Sequence, residues 1–177
     1  MHGGMLRKSS LAALLASAAI SAAALTVDIA PAQDPAFAAP PDGRGSPLTL
    51  LVSGCMGAFF DSGYIVTDSS ARFELRGSWG SSRYALEEAR EGQVDFVIDM
   101  FVAWATSAYD KEVALPASAD YRLVRVSDGK VLAEGSIEGI MDSLDSAAHE
   151  GAMAALMGTK IAEPSLKALS AIDKGGE

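Results

Sequence analysis

The clearest hydrophobic pattern in this chain is a period of two between residues 94 and 105. Every second residue there is large and apolar: Val94, Phe96, Ile98, Met100, Val102 and Trp104. Because side chains at this spacing lie on one face of a β-strand, the pattern predicts a long central strand. Further strands are predicted over residues 48–52, 64–67, 71–76, 117–126 and 131–137, with a hairpin turn at Asp128-Gly129 between the last two.

Two other regions follow the helical period. Residues 83–91 carry a short amphipathic pattern that Gly92 ends. Further along, the sequence predicts an alanine-lined helix with Asp142 as its N-cap and Gly158 as its end, and then a last short helix from Pro164. Strands grouped ahead of helices predict an α+β fold: a single domain in which a mainly antiparallel sheet of about five to six strands carries its helices on one face.

The amino-terminal part of the chain has the pattern of an export signal. Arg7 and Lys8 precede an unbroken run of mostly small, apolar residues over positions 11–27. Small residues at the −3 and −1 positions then mark two cleavage sites, one after Ala32 and one after Ala38, of which we favour the second. The alternative for the apolar run is a membrane anchor.

Cleavage after Ala38 divides the chain into four predicted parts. These are a signal peptide over 1–38, a flexible lead-in over 39–47, an α+β domain over 48–172 and a frayed tail over 173–177. The mature protein is then expected in the periplasm or outside the cell, without a transmembrane helix, because no later stretch is apolar for long enough.

The charge balance limits the partners of the protein. Its 177 residues include 14 Lys and Arg against 23 Asp and Glu, which gives a net charge of −9. Such a chain is a poor ligand for nucleic acid, whose binding draws its affinity from clustered cations, and for anionic membrane surfaces. Because 49% of the residues are hydrophobic, the chain is apolar enough to form a folded core. We therefore predict envelope proteins as partners and no nucleic acid.

Cys55 is the only cysteine, which excludes an internal disulfide. The favoured interpretation is a small buried hydrophobic residue at the end of a strand. The alternative is lipidation, because Val52-Ser53-Gly54-Cys55 matches the bacterial lipobox, in which the cysteine is diacylated after cleavage. Lipidation would tether the protein to a membrane.

Few residues have the spacing that catalysis or metal binding requires. His2 and His149 are the only histidines, and neither has a second ligand residue at zinc spacing. Asp61-Ser62-Gly63 matches the core of the aspartic protease motif but occurs once, whereas that chemistry needs two carboxylates, so an ordinary turn is favoured. We predict no catalytic residue, no metal site and no cofactor.

Two acids share one face of the predicted central strand. Asp95 and Asp99 lie four residues apart there, but a cation bound to them would need further oxygen ligands from neighbouring strands. Acids and arginines alternate on those strands, which favours cross-strand ion pairs instead. An exported hydrolase that uses Asp61, Asp95 or Asp99 is therefore the less favoured alternative function.

Three aromatic residues are candidates for contact with a partner protein: Trp79, Phe101 and Trp104. Trp79 lies in a glycine-rich loop, and the other two fall on opposite faces at the end of the long strand. Aromatic side chains are enriched in protein interfaces. The alternative for Trp79 is that it folds over the edge of the sheet.

The order of elements over residues 94–161 resembles a known family. The carboxy-terminal half of the ABC-type transport auxiliary lipoproteins is similar to three strings of this chain: VDFVIDMFVAW, ADYRLVRVSDGKVLAEGSIEG and SAAHEGAMAALMGTKIA. The order is also similar to modules of the TolB amino-terminal and curli-secretion type, although no helix is predicted here after the first strand. The resemblance implies a bacterial envelope protein that has no catalytic residues.

These observations together predict an exported, non-catalytic accessory or binding module of the envelope that acts through protein contacts. The main alternative is a carrier of a small ligand or lipid. A carrier would need an apolar cavity between the alanine-rich helix and the sheet, and close approach of alanine side chains to the sheet argues against one.

Overall fold

A computed structural model of the protein describes residues 24–34, 46–69, 71–73, 82–106, 114–138 and 147–174. The elements in chain order are β1 (Thr26–Gln33), α1 (Pro47–Asp61), β2 (Ile65–Asp68), β3 (Arg72–Phe73), α2 (Ser82–Glu91), β4 (Phe96–Thr106), β5 (Ala114–Arg125), β6 (Val131–Glu138) and α3 (Ala147–Lys174). Within these residues, strands and helices combine in one α+β fold, which confirms the predicted class.

The sheet is mixed rather than mainly antiparallel. Its strand order is β2-β1-β4-β5-β6, and β3 pairs with β1 beyond the end of β2. Strand β1 runs parallel to β2, β3 and β4, whereas β4, β5 and β6 form an antiparallel meander. The antiparallel half, including the β5–β6 hairpin, agrees with the prediction. The parallel half differs from the prediction, because the hydrophobic pattern does not predict its central strand, β1.

Strand β1 overturns the predicted start of the ordered domain. The hydrophobic pattern places that start at Leu48, but β1 is a central strand with β2 and β3 on one side and β4 on the other. Every β1 residue after Thr26 is buried. The pattern assigns these residues to the signal peptide because the apolar run of the leader reaches Val27, inside β1, and small residues at cleavage spacing follow it.

Residues 48–52, predicted as a strand, lie instead in helix α1. Pro47 occupies the first turn, where its missing N–H costs no helical hydrogen bond. The buried positions follow at helical spacing: Leu48, Leu51, Val52, Cys55 and Phe59. A short apolar run does not by itself distinguish a strand from a buried helix. Helix α1 directly follows the first strand, β1, a position where the sequence pattern predicts no helix.

The carboxy-terminal helix α3 is continuous, although the sequence predicts two helices with a break at Gly158. Pro164 lies inside it, and the helix reaches Lys174. Asp173 and Lys174 therefore belong to the helix and not to the predicted frayed tail. The residues between 139 and 146, where the predicted N-cap Asp142 lies, are outside the described part of the chain.

Gly158 remains helical because it lies where α3 crosses α1. A Cβ atom on Gly158 would overlap the Leu51 carbonyl oxygen and lie 2.7 Å from the Cys55 nitrogen. Gly54 has the same role on α1, where a Cβ atom would overlap the Ala155 carbonyl oxygen. Only glycine permits two backbones to approach so closely. The small residues of α3 therefore face another helix, whereas the sequence analysis expects them to face the sheet.

Helices cover both faces of the sheet, which corrects the prediction of one covered face. Neighbouring strand residues point to opposite faces. Ile29 and Ile98 belong to the core under α1 and α3, whereas Ala30 and Val97 pack with Ala85 of α2. The two cores are therefore separated by the sheet.

Candidate interaction surface

Cys55 lies in the middle of α1 and is fully buried. Burial raises the pKa of its thiol from 9.0 to about 12, because the interior disfavours the charged thiolate. The structure confirms a buried hydrophobic role, within a helix rather than at a strand end. It contradicts lipidation at Cys55, since cleavage before this residue would remove β1 and half of α1.

Two of the predicted aromatic contacts are core residues. Phe101 and Trp104 lie on opposite faces of β4, as predicted, but they are only 7% and 8% exposed. Trp104 Nε1 donates a hydrogen bond of 2.9 Å to Gln33 Oε1 on β1. The prediction that these two residues contact a partner is therefore wrong. Trp79 lies outside the described residues.

The three acids of the hydrolase alternative have separate surroundings. Asp61 is the exposed last residue of α1, and the predicted turn follows it at Ser62 and Gly63. Asp95 precedes β4 and accepts hydrogen bonds from Thr26 N and Oγ1, at 2.8 and 2.9 Å. Asp99 is buried on β4, with its Oδ2 atom 3.6 Å from Arg122 Nη2 of β5. Asp99 therefore forms the kind of cross-strand ion pair that the sequence predicts.

A buried carboxylate that the sequence analysis missed is Asp28 on β1. It is 5% exposed and accepts hydrogen bonds from Thr67 Oγ1 at 2.9 Å and Ser69 Oγ at 2.5 Å. Asp28 and Asp99 project from the same face of the sheet, because Ala30 lies opposite Asp99 in the register of β1 and β4. An acid inside an apolar run is the signal that would have identified β1, since the core of a signal peptide is apolar.

The remaining candidates for chemistry give no site in the described residues. His149 belongs to α3, but its side chain is outside the described part, as is His2. No three His, Cys, Asp or Glu side chains in the described ranges are grouped so that they could hold a metal ion. None of the helices in those ranges is both long and apolar enough to span a membrane.

The space between α3 and the sheet is nearly filled. A cavity of about 10 Å³ lies there, lined by Pro116, Glu138, Met153, Leu156, Met157 and Lys160. That volume holds about one water molecule. Ligand pockets are more than tenfold larger, at about 300–1,000 Å³. This cavity therefore gives no support to the carrier alternative.

The exposed side of α1 is apolar or neutral until its last residue, Asp61. We call this side the outer face, and it consists of Thr49, Leu50, Ser53, Gly57, Phe60 and Asp61. The Phe60 side chain is 73% exposed, and Leu50 is 40% exposed. Asp61 is the only charged residue of the helix. A surface helix normally places several charged residues opposite its buried side, so an outer face with a single charge at its end is unusual.

Contacts on the buried side fix the position of this helix. Beside the glycine crossing, Thr159 Oγ1 of α3 donates to Gly54 O at 3.5 Å. At the other end of α1, the Phe59 ring meets the Tyr64 ring edge-on, with centroids 5.7 Å apart. The outer face is therefore presented on a helix that is anchored along its length.

No protein-family model matches the sequence, and no curated protein matches it. Similar solved structures include a PelC dodecamer from Paraburkholderia phytofirmans, at 18% identity and a TM-score of 0.43, covering 79% of this chain and 85% of that one. A lipoprotein from Neisseria meningitidis has 20% identity and a TM-score of 0.42, covering 78% and 98% of the two chains. TolB from Acinetobacter baumannii has 11% identity and a TM-score of 0.42, covering 84% of this chain and 29% of TolB. At these TM-scores the likenesses carry no weight in the proposals that follow.

Proposed function

We propose that this protein is an exported, non-catalytic accessory module of the bacterial cell envelope, and that it binds another protein through the outer face of α1. The observation that carries the proposal is the 73% exposure of Phe60 on a helix face whose one charged residue is Asp61 at its end. A large aromatic side chain on a rigid element is the usual anchor of a protein interface.

The distribution of charge supports the same surface. Charged residues make up 21% of the chain, yet the outer face contains one, Asp61, at the very end of the helix. Interface centres are depleted in charged residues, because a charge buried there without a partner costs free energy. A protein partner can therefore cover Leu50, Gly57 and Phe60 while Asp61, the one charge of this helix, stays at the rim of the contact.

The non-catalytic part of the proposal is supported by the surroundings of the acids. Asp28 accepts hydrogen bonds from two hydroxyl groups, Asp95 accepts bonds from the start of β1, and Asp99 faces an arginine. These partners account for the carboxylates as structural groups that hold neighbouring strands together. Export is supported by the basic start at Arg7 and Lys8 and the apolar run that follows.

Site-specific photocrosslinking tests the proposal. A photoreactive phenylalanine analogue replaces Phe60 in the full-length protein, expressed in the bacterium that carries its gene. The matched control carries the analogue at Tyr84, an exposed aromatic residue of α2 on the opposite side of the sheet. We expect a discrete protein adduct in the envelope fraction from position 60 and none from position 84.

A second substitution separates specific contact from chance collision. Adding Leu50→Glu to the position-60 probe places a charge on the outer face, and we expect about a tenfold weaker adduct, the size of loss that follows removal of an interface anchor. Adducts of equal intensity from both positions, or an adduct that is insensitive to Leu50→Glu, would refute binding through the outer face. The variants are compared by circular dichroism to show that they remain folded.

A further inference from the structure

We infer that the leader is removed between Ala24 and Leu25, so that the mature chain begins immediately before β1. The inference rests on the proposed export of the chain. It replaces both cleavage sites that the sequence predicts, because cleavage after Ala32 would cut β1 and cleavage after Ala38 would remove β1.

The predicted site after Ala32 lies inside the sheet. Ala32 is 2% exposed, and its backbone lies between Phe101 of β4 and Arg72 of β3. Cleavage after Ala38 would detach the whole of β1 from the rest of the chain. Burying Val27 and Ile29 contributes about 1.5–3 kcal/mol for each side chain, so the mature fold depends on keeping this strand.

A third pair of small residues lies upstream of β1. Ala22-Ala23-Ala24 places alanine at the −3 and −1 positions of the Ala24–Leu25 bond. Cleavage there leaves the apolar residues 11–24 between the basic pair Arg7 and Lys8 and the scissile bond. These 14 residues are within the range of about 7–15 residues for the apolar region of a signal peptide.

The surroundings of the bond also suit cleavage at this point. Ala24 and Leu25 are both exposed, and Leu25 lines an open cavity of about 460 Å³ at this end of the sheet. Burial begins with Val27, two residues beyond the scissile bond. Proteolytic cleavage concentrates in exposed chain with small residues, as at Ala24.

Asp95 fixes the start of β1 independently of what precedes it. Its carboxylate accepts hydrogen bonds from Thr26 N and Thr26 Oγ1, and the Asp95 N–H donates to Thr26 Oγ1 at 2.9 Å. These bonds begin one residue after the proposed cleavage point. The first strand is therefore held in place by the body of the protein and does not need residues 1–24.

The reaction is an ordinary peptide hydrolysis by an envelope signal peptidase. Water adds across the Ala24–Leu25 bond, the C–N bond breaks, and the products are a carboxylate on Ala24 and an ammonium group on Leu25. The new positive charge lies next to Thr26, whose backbone is bonded to the Asp95 carboxylate. Opposite charges attract, so we expect the new ammonium group to add a favourable interaction with this carboxylate at the start of β1.

Intact-mass spectrometry of the protein produced from its full-length gene tests the site. We expect the mass of residues 25–177 in the fraction released by osmotic shock. Ala24→Lys places a large cation at the −1 position, and we expect the precursor to accumulate. Ala38→Lys is the matched control, and its product should have lost the same 24 residues.

The possible outcomes separate this inference from the export proposal. A product that begins at residue 33 or 39, or an Ala24→Lys variant that is processed like the wild type, would overturn cleavage after Ala24 while leaving export intact. A full-length chain in the envelope fraction would overturn cleavage in the same way. A full-length chain confined to the cytoplasm would overturn export itself.

Discussion

On the side of the sheet that faces α1 and α3, the core is apolar and depends on shape. The two helices cross where Gly54 and Gly158 bring their backbones together, and Cys55 and Phe59 are fully buried beneath them. On the side that faces α2, the helix is shorter and meets the sheet through Ala85. Two carboxylates, Asp28 and Asp99, are buried on that side, and both have polar partners.

The two faces of the sheet are therefore held against their helices in different ways. On the first side, the fit of backbone against backbone fixes how the helices lie, and a single added methyl group disrupts it. On the second side, polar groups fix which strands are neighbours, because a buried carboxylate is stable only when its partners are present. The outer face of α1 belongs to the side fixed by shape, so the proposed interaction surface depends on the glycine crossing beneath it.

The largest expected effect comes from Gly54→Ala. The added Cβ atom would overlap the Ala155 carbonyl oxygen and lie 2.8 Å from its Cα atom, so the helices must separate. We expect the free energy of unfolding to fall by about 3 kcal/mol, the upper range for an overfilled core. Urea unfolding of the purified protein measures this loss.

Gly57→Ala is the matched control in the same helix. Gly57 lies on the outer face, and a Cβ atom there would have nothing within 4 Å. Because alanine is the better helix former, we expect stabilisation by about 0.5–1 kcal/mol. If both substitutions had the same sign, the glycine crossing would not be the feature that orders this side of the sheet.

The polar side is tested by Asp99→Asn, which removes the carboxylate that faces Arg122 of β5. We expect a loss of about 2 kcal/mol, below the range for fully buried ion pairs because 22% of the Arg122 side chain is exposed. A double-mutant cycle with Arg122→Gln measures the coupling between the two residues by urea unfolding. A coupling near zero would show that this pair does not help to fix the strand order.

The antiparallel half of this fold follows from local signals in the sequence. The alternation over 96–104 and the Asp128-Gly129 turn specify β4, β5 and β6, and the pattern over 83–91 specifies α2 within one residue. These elements pair with their neighbours along the chain, so local pattern is enough to place them.

The other half is harder to predict because most of its signals are non-local. β1 is mostly apolar because it is buried on both faces, and the leader is apolar because it enters a membrane, so Asp28 is the main local signal that separates the two. Gly158 would end an isolated helix, and it remains helical only because α1 lies against it. The exposure of Phe60 likewise depends on which side of α1 faces the sheet.

The buried thiol of Cys55, on the side of the sheet that faces α1 and α3, makes the free energy of unfolding depend on pH. Burial raises the thiol pKa to about 12, so the folded protein keeps its proton while the unfolded chain loses it above about pH 9. Unfolding therefore becomes easier as pH rises from about 9 to about 12, with the free energy of unfolding falling by about 1.4 kcal/mol per pH unit. We expect urea unfolding at pH 8 and pH 10 to show this extra loss in the wild type relative to Cys55→Ala. Equal losses in the two proteins would mean that the thiol is accessible to solvent.

The smallest expected effect is that of Asp28→Asn on the polar side. The amide oxygen of the new side chain can still accept a hydrogen bond from one hydroxyl, but the other, Thr67 Oγ1 or Ser69 Oγ, loses a charged acceptor, which costs about 1 kcal/mol. Asp61→Asn is the control, because it removes an exposed negative charge from the carboxy-terminal end of α1, where the helix dipole disfavours it. We expect thermal unfolding to show a small loss for Asp28→Asn and a gain of about 0.3 kcal/mol for Asp61→Asn. If Asp28→Asn were as stable as the wild type, the buried carboxylate of β1 would have no part in holding β1 and β2 together, and its place on the sheet would need a functional explanation instead.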